Sequence, residues 1–212
     1  MEYRNYLVSK IGFIEVTNSV GLKVTFTSAG AGIFSIFLNN EKITENAENE
    51  TSFLNHELKY GKTTRLLDVD SFIINGIQYN HNKDYDLSNL LFNCVPNFQK
   101  KYFMVQYSFK KKKMLDGLPG KVTYYVTYVI KDDVNEITID YRAISSDKTP
   151  LYMSHQMLFV PEDNKYKMEV ESNYDSILHN ENPHGTVIHP FDENVQCGYS
   201  FNKQLTYKFI SK

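Results

Sequence analysis

The residues with the clearest capacity for chemistry lie close together near the C-terminal end of the sequence. Three histidines there are spaced five residues apart, with three carboxylates among them. The six residues are Asp175, His179, Glu181, His184, His189 and Asp192. Imidazole and carboxylate groups bind metal ions, but intervals of five on a segment predicted to be a loop match no specific ligand pattern. The stretch favours loop histidines in water, and we expect no metal site and no cofactor.

Other residue types that act in catalysis form no recognisable motif. Cys94 and Cys197 are the only cysteines, and neither belongs to a Cys-x-x-Cys pair. The sequence has no Ser-His-Asp signature and no glycine-rich phosphate loop. The run Lys110–Lys113 is predicted to be a solvated turn that attracts an acidic partner or protects a sheet edge.

The composition excludes several classes of protein. Aromatic residues make up 14% of the 212 residues, too many for a disordered chain. A formal charge of -2 argues against a nucleic-acid-binding protein, which would have an excess of basic residues. No apolar run approaches the roughly 20 residues of a membrane-spanning helix, and the first residues do not resemble a secretion signal. We therefore expect a cytoplasmic protein with no nucleic-acid partner and no membrane span.

The elements that position any functional residue are predicted to be strands. Apolar and polar residues alternate, with many β-branched and aromatic side chains, which is typical of half-buried strands. The predicted strands include Leu22–Thr27, Gly32–Leu38, Tyr102–Phe109, Val122–Ile130, Glu136–Ile144, Leu151–Val160, Tyr166–Ser172 and Tyr199–Ile210. Asn75-Gly76, between two short apolar runs, predicts a tight hairpin.

No segment has a convincing helical period. The asparagine-rich stretches 39–55 and 80–97 are predicted to be loops. Because no break in composition marks a domain boundary, we predict a single all-β domain over residues 1–212. Its expected architecture is an antiparallel β-sandwich of roughly ten to fourteen strands, since one open sheet of that size would twist too far.

Three stretches of the sequence resemble motifs of the aldose 1-epimerases, also called galactose mutarotases. Val16–Ile36 resembles the family's opening hairpin, which ends in a Gly-Ala-x-Ile-x-Ser-Ile turn. Asp116–Val122 resembles the Asp-Gly…Phe-Pro-Gly-Asn-Leu loop, and the following hairpin through Tyr141 is also similar. Thr149–Phe159 lies where the family has Thr-Pro-Val-Asn-Leu-Thr-Asn-His-Ser-Tyr-Phe. The resemblance implies the large β-sandwich of that family in a reduced form.

The resemblance also implies an activity. Members of the family interconvert the α and β anomers of free hexoses without a metal or a cofactor. One group protonates the ring oxygen while another removes the proton of the anomeric hydroxyl. In the family a histidine is the acid and a glutamate is the base, and a second histidine, an arginine and an aspartate hold the sugar.

The family's acid is the histidine of the Asn-His pair in the third motif. An ungapped alignment places Gln156 in the position of that histidine and His155 in the position of the asparagine. A glutamine amide can hold a hydroxyl group but cannot transfer a proton. A one-residue bulge would instead bring His155 into the position of the acid, since such a shift reverses side-chain facing. Alternatively, His155 is a strand histidine with an ordinary hydrogen bond.

The other family residues have weaker counterparts. Leu66 occupies the position of the sugar-binding arginine, and Arg65 reaches a sugar only if the backbone shifts by one residue. The Leu-His-Gly-Gly loop with the second histidine has no counterpart. Asp192 follows a Pro-Phe pair, as the family's sugar-binding aspartate does, although a turn aspartate would fit equally well. Glu193 is the sole carboxylate side chain after Asp192 and shares none of the base's motif, so the base is expected to be missing.

Three functions are consistent with these observations. The leading hypothesis is a carbohydrate-binding or interaction protein without epimerase activity, in which Gln156, Asp192 and Arg65 hold sugar hydroxyls. The second is a minimal aldose 1-epimerase, an isomerase, with His155 as acid and Glu193 or another carboxylate as base. The third is a structural or protein-interaction sandwich with no sugar ligand. The expected ligand is thus a hexose or glycan, or else a protein partner.

Overall fold

The structure is a computed structural model that describes residues 1–45, 47–55, 60–64, 70–82, 84–160, 166–173, 176–182, 185–190 and 197–211. For 176–182, 185–190 and 211 the description is of the backbone only. Two antiparallel sheets form the body of the molecule, and three smaller sheets flank them. In the described part of the chain there are eighteen strands, more than predicted, because several are too short for an alternating pattern to be recognised.

The first large sheet is a five-stranded meander in which each strand pairs with the next along the chain. Its strands are β1 (Glu2–Val8), β2 (Ile11–Thr17), β3 (Leu22–Thr27), β4 (Gly32–Leu38) and β5 (Glu41–Lys42). One face packs on the second sheet. The other face is covered by α1 (Glu50–Asn55), whose Phe53 ring packs edge-on against Phe34.

The second large sheet has six strands in the order β15-β18-β12-β11-β10-β9. The strands are β9 (Asn93–Phe98), β10 (Tyr102–Lys111), β11 (Val122–Lys131), β12 (Glu136–Pro150), β15 (Tyr166–Ser172) and β18 (Cys197–Ser211). Its inner side chains alternate with outer ones along β11, where Tyr124, Val126 and Tyr128 are buried and the residues between them are partly exposed. This sheet supplies most of the large aromatic residues of the core.

Three small sheets complete the fold. β6 (Thr63–Thr64) pairs with β13 (Ser154–His155), and β7 (Ser71–Ile74) pairs with β8 (Ile77–Asn80). The last sheet contains β14 (Met157–Phe159), β16 (Ser176–Asn182) and β17 (Gly185–Pro190).

The hairpin predicted from Asn75-Gly76 is confirmed. It joins β7 to β8, and both turn residues have positive φ, 53° and 77°. Positive φ at both central positions is the requirement of a type I′ turn, which asparagine and glycine meet at low cost. Here the local sequence was sufficient, because the turn depends only on the backbone preferences of two residues.

The core lies between the two large sheets. The ring of Phe26 on β3 packs 4.7 Å, centroid to centroid, from that of Tyr128 on β11. The Tyr128 hydroxyl donates a hydrogen bond of 2.6 Å to the carbonyl oxygen of Ala31, in the turn between β3 and β4. The buried polar group thereby links the two sheets, and burial raises the pKa of its phenol.

We expect Tyr128→Phe to lower the free energy of unfolding by about 1 kcal/mol, the usual net contribution of one buried hydrogen bond. Urea denaturation measures the change. Tyr102→Phe is the matched control, since Tyr102 is half-exposed on the outer side of the same sheet, and its effect should stay within about 0.5 kcal/mol. Equal losses in the two variants would contradict a linking role for the Tyr128 hydroxyl.

Two predictions about the asparagine-rich stretches were wrong. The first stretch contains α1, which begins after Asn49, whose side chain accepts a hydrogen bond from the Ser52 backbone nitrogen. A helix of six residues is too short to display a helical period, and the burial of Phe53 stabilises it through tertiary contacts. The second stretch contains a 3₁₀ turn at Leu87–Asn89 and strand β9. That edge strand is exposed along its whole length, so its sequence lacks an apolar alternation.

Lys111 differs from the solvated residue predicted within the lysine run. Its side chain is fully buried at the end of β10, and its ammonium lies 2.6 Å from a carboxylate oxygen of Asp116, which is also fully buried. Lys110, one residue earlier, is exposed, as alternation along a strand requires.

No helix among the described residues is long and apolar enough to cross a membrane.

Candidate functional site

The segment that contains His155 and Gln156 is anchored to residues 61–64. Strand β13 pairs with β6 so that Ser154 lies opposite Thr64 and His155 opposite Thr63. The hydroxyl groups of Ser154 and Thr64 are 2.8 Å apart and buried. The backbone nitrogen of Gly61 donates a 2.7 Å hydrogen bond to the Gln156 carbonyl oxygen. This pairing brings together two stretches that the sequence resemblance assigned separately to a sugar site.

His155 faces the core of the protein. Its imidazole is fully buried between the rings of Tyr141 on β12 and Tyr207 on β18, with centroid distances of 6.4 and 6.3 Å. Among the described residues neither ring nitrogen has a hydrogen-bond partner. Burial disfavours the charged form and lowers the pKa of His155 to about 3. The imidazole is therefore neutral at physiological pH, and no described polar group is placed to exchange a proton with it.

Gln156 is the next residue along the chain and is partly exposed. Its side-chain amide offers both a donor and an acceptor to solvent or a ligand, but no titratable proton. Gln156 is the residue that the ungapped alignment places in the position of the family's acid, and that assignment stays a prediction. The structure gives His155 a buried environment and Gln156 an accessible one.

Arg65, Asp175, His184, Asp192 and Glu193 lie outside the described residues. The chemical roles predicted for them remain predictions. The prediction that the histidine-rich stretch is a loop is wrong where the structure describes it, because His179 and Glu181 lie on β16 and His189 lies on β17. Within the described part of the chain, no group of three or more histidine, cysteine, aspartate or glutamate side chains could hold a metal ion.

A buried cation beside this segment was missed from the sequence. Lys62 is only 5% exposed, and its ammonium lies 5.1 Å from the centroid of the Phe53 ring on α1. Burial lowers the pKa of Lys62, and the negative charge of Asp86 partly offsets that effect. A cation over an aromatic face is stabilised by the ring's electron density. The contact could not be foreseen, because the helix that supplies Phe53 was not predicted.

No family model matches this sequence, and no curated protein does either. Solved structures, in contrast, match over nearly the whole chain. The galactose 1-epimerase from Lactobacillus acidophilus NCFM has a TM-score of 0.82 at 11% identity, with 99% of this chain and 98% of that chain covered. An aldose epimerase homologue from C. elegans gives a TM-score of 0.77 at 14% identity, covering 95% of this chain and 99% of that one.

A galactose mutarotase-like protein from Clostridium acetobutylicum is also similar, with a TM-score of 0.71 at 10% identity. That match covers 100% of this chain and 99% of the other. At these identities the likeness establishes the fold. The predicted all-β antiparallel sandwich of the galactose mutarotase type is thereby confirmed.

Proposed function

We propose that this protein binds a carbohydrate, a hexose or a hexose residue of a glycan, and does not interconvert its anomers. The fold supports the ligand class, since the structural neighbours include a galactose 1-epimerase and aldose epimerase homologues. The loss of activity is inferred from one observation. His155 is fully buried and neutral, while the accessible neighbouring position is occupied by a glutamine.

The chemistry of anomer interconversion explains why this observation matters. Opening the sugar ring requires a proton to reach the ring oxygen as another leaves the anomeric hydroxyl, which efficient catalysts achieve with groups whose pKa lies near the working pH. The pKa of His155, about 3, lies far below that range. The amide of Gln156 has no proton to donate at any physiological pH. Neither residue of the pair therefore meets the requirement for a general acid.

Binding a sugar requires hydrogen-bond donors and acceptors but no titratable proton. A glutamine amide donates through its nitrogen and accepts through its oxygen, which suits a sugar hydroxyl that does both. In this proposal Gln156 holds one hydroxyl, and Asp192 and Arg65 hold others, as the family resemblance implies. The backbone hydrogen bond between Gln156 and Gly61 supports the segment from which the amide extends.

Two measurements test the proposal. In polarimetry of freshly dissolved α-D-galactose and α-D-glucose, the protein should leave the rate at the uncatalysed background. In NMR titrations with the same sugars, the backbone amides around Gln156 should shift, and Gln156→Ala should reduce that response at least tenfold. Gln99→Ala is the matched control, because Gln99 is exposed in the turn between β9 and β10.

The remaining outcomes would overturn the proposal in different ways. Catalysis above background that His155→Ala abolishes would establish the minimal epimerase with His155 as acid and Glu193 as the candidate base. Absence of any response around Gln156 to a panel of hexoses would refute sugar binding at this segment.

A further inference from the structure

The outer face of the second large sheet displays two adjacent rows of polar side chains. The register of the strands sets both rows. In one row Tyr125 on β11 lies opposite Arg142 on β12, which lies opposite Asn202 on β18. In the next row, two residues along each strand, the neighbours in order are Gln106, Thr127, Asp140 and Gln204. Opposed side chains on neighbouring strands begin about 5 Å apart, so the two rows form a continuous polar surface.

A groove of about 430 Å³ runs across these rows. It is lined by Gln106, Tyr125, Thr127, Asp140, Arg142 and Asn202. Its position is distinct from that of His155, because the residues that alternate with this set, such as Tyr124 and Tyr141, face the core where His155 lies.

The second row is held in place by its own hydrogen bonds. The amide nitrogen of Gln106 donates to the Thr127 hydroxyl over 3.3 Å, and that of Gln204 donates to an Asp140 carboxylate oxygen over 2.9 Å. These contacts restrict the rotation of Gln106, Thr127 and Asp140, which line the groove, and thereby reduce the entropy cost of binding.

The first row, in contrast, presents groups without partners. Within the described residues, the Arg142 guanidinium, the Tyr125 hydroxyl and the Asn202 amide form no hydrogen bond or ion pair in the structure. Arg142 and Asn202 are exposed and Tyr125 is half-exposed. The groove thus combines side chains that are hydrogen-bonded to one another with several donors and acceptors that remain available to a ligand.

The charge and shape of the groove favour a neutral polyhydroxyl ligand. Arg142 and Asp140 give it one positive and one negative group, so the lining side chains carry no net charge that would attract a phosphate or sulfate. A nucleic acid would require a basic excess. A sugar needs donors and acceptors side by side for its hydroxyls, and an aromatic ring such as that of Tyr125 for its C–H face.

We propose that this groove on the outer face of the second large sheet is a saccharide-binding site, separate from the segment around Gln156. Arg142 and Asn202 would each contact adjacent hydroxyl groups, Asp140 would accept from a hydroxyl, and the Tyr125 ring would support the sugar. The site does not depend on the function proposed above, because it shares no residue with it.

An NMR titration of the full chain with galactose, glucose, mannose and lactose tests the site. At least one of these sugars should shift the backbone amides of Gln106, Tyr125, Asp140 and Arg142. Arg142→Ala and Tyr125→Ala should each weaken that response at least tenfold. Arg4→Ala is the matched control, since Arg4 is exposed on the edge strand β1 and paired with Glu15, and it should leave the response unchanged. Unaltered melting temperatures would establish that the variants remain folded.

Two further measurements distinguish the groove site from an anion site and from the Gln156 segment. Inorganic phosphate and sulfate should not compete with the sugar, and competition would overturn the assignment in favour of an anion site. Gln156→Ala should leave the groove response intact. Shifts confined to the Gln156 segment would refute sugar binding in the groove and would support sugar binding at Gln156. Shifts confined to the groove would refute sugar binding at Gln156 and would support the groove site. No shift of the groove amides with any of the four sugars would refute the site.

Discussion

Lys111→Met should destabilise the protein by about 3 to 5 kcal/mol, the range measured when one partner of a buried ion pair is removed. Both side chains of the Lys111–Asp116 pair are fully buried, with the ammonium 2.6 Å from the carboxylate. Removing the ammonium deprives the buried Asp116 carboxylate of the cation that lies 2.6 Å from it. Chemical denaturation at neutral pH measures the change in the free energy of unfolding.

The lysine run supplies a matched control for this experiment. Lys110→Met alters an exposed neighbour on the same strand and should change stability by no more than about 0.5 kcal/mol. Adding Asp116→Asn to Lys111→Met removes the remaining charge and retains an acceptor for the Leu118 backbone nitrogen. The double variant should therefore recover part of the loss. If Lys111→Met and Lys110→Met had equal effects, the buried pair would not stabilise the fold.

The Lys111–Asp116 ion pair also helps to account for the sequence of the Asp116–Val122 loop, which resembles a family motif. Asp116 accepts from the backbone nitrogen of Leu118, and the Lys111 ammonium lies 3.4 Å from the Leu118 carbonyl oxygen. Gly117 has a φ of 80°, and a side chain there would collide with the backbone of Asn80. The Asp-Gly pair is thus required by the packing of the loop against β8, and we infer that its role is structural.

His155→Phe should remove a pH dependence of stability that the unaltered protein shows below pH 6.5. The pKa of His155 is about 3 in the folded protein and about 6.5 in an unfolded chain. The unfolded state therefore binds the proton more readily between these values. The contribution to stability is complete above pH 6.5 and is lost progressively as the pH falls towards 3. At pH 4.5 the loss should reach about 2 to 3 kcal/mol.

Urea denaturation of both proteins at pH 7 and pH 4.5 measures this effect. Titrating carboxylates contribute to both proteins alike, so the difference between the two profiles isolates His155. At pH 7 the phenylalanine variant should be about as stable as the parent or more stable, because the substitution removes a buried imidazole whose nitrogens have no described partner. Parallel profiles would contradict the buried, neutral state of His155.

The candidate site could be predicted only in part from the sequence. The alignment with the epimerase motif identified the pair His155-Gln156. It left open which of the two side chains points into the core and which is accessible. The facing depends on β13, a strand of two residues paired with β6, which lies about ninety residues earlier in the chain. Two residues are too few for an alternating pattern, and a shift of one residue would exchange the exposures of the two side chains.

Strand positions were largely determined by the sequence itself. Leu22–Thr27, Gly32–Leu38 and Tyr166–Ser172 have in the structure the bounds predicted for them, and the Asn75-Gly76 turn forms as predicted. These features depend on local preferences: alternation along an extended chain and the tolerance of asparagine and glycine for positive φ. The tertiary structure alone decided that Lys111 is buried while Lys110 is exposed, and that His155 faces the core. The free energy of a buried charge or imidazole depends on distant residues packed around it, which a pattern of neighbouring residues does not specify.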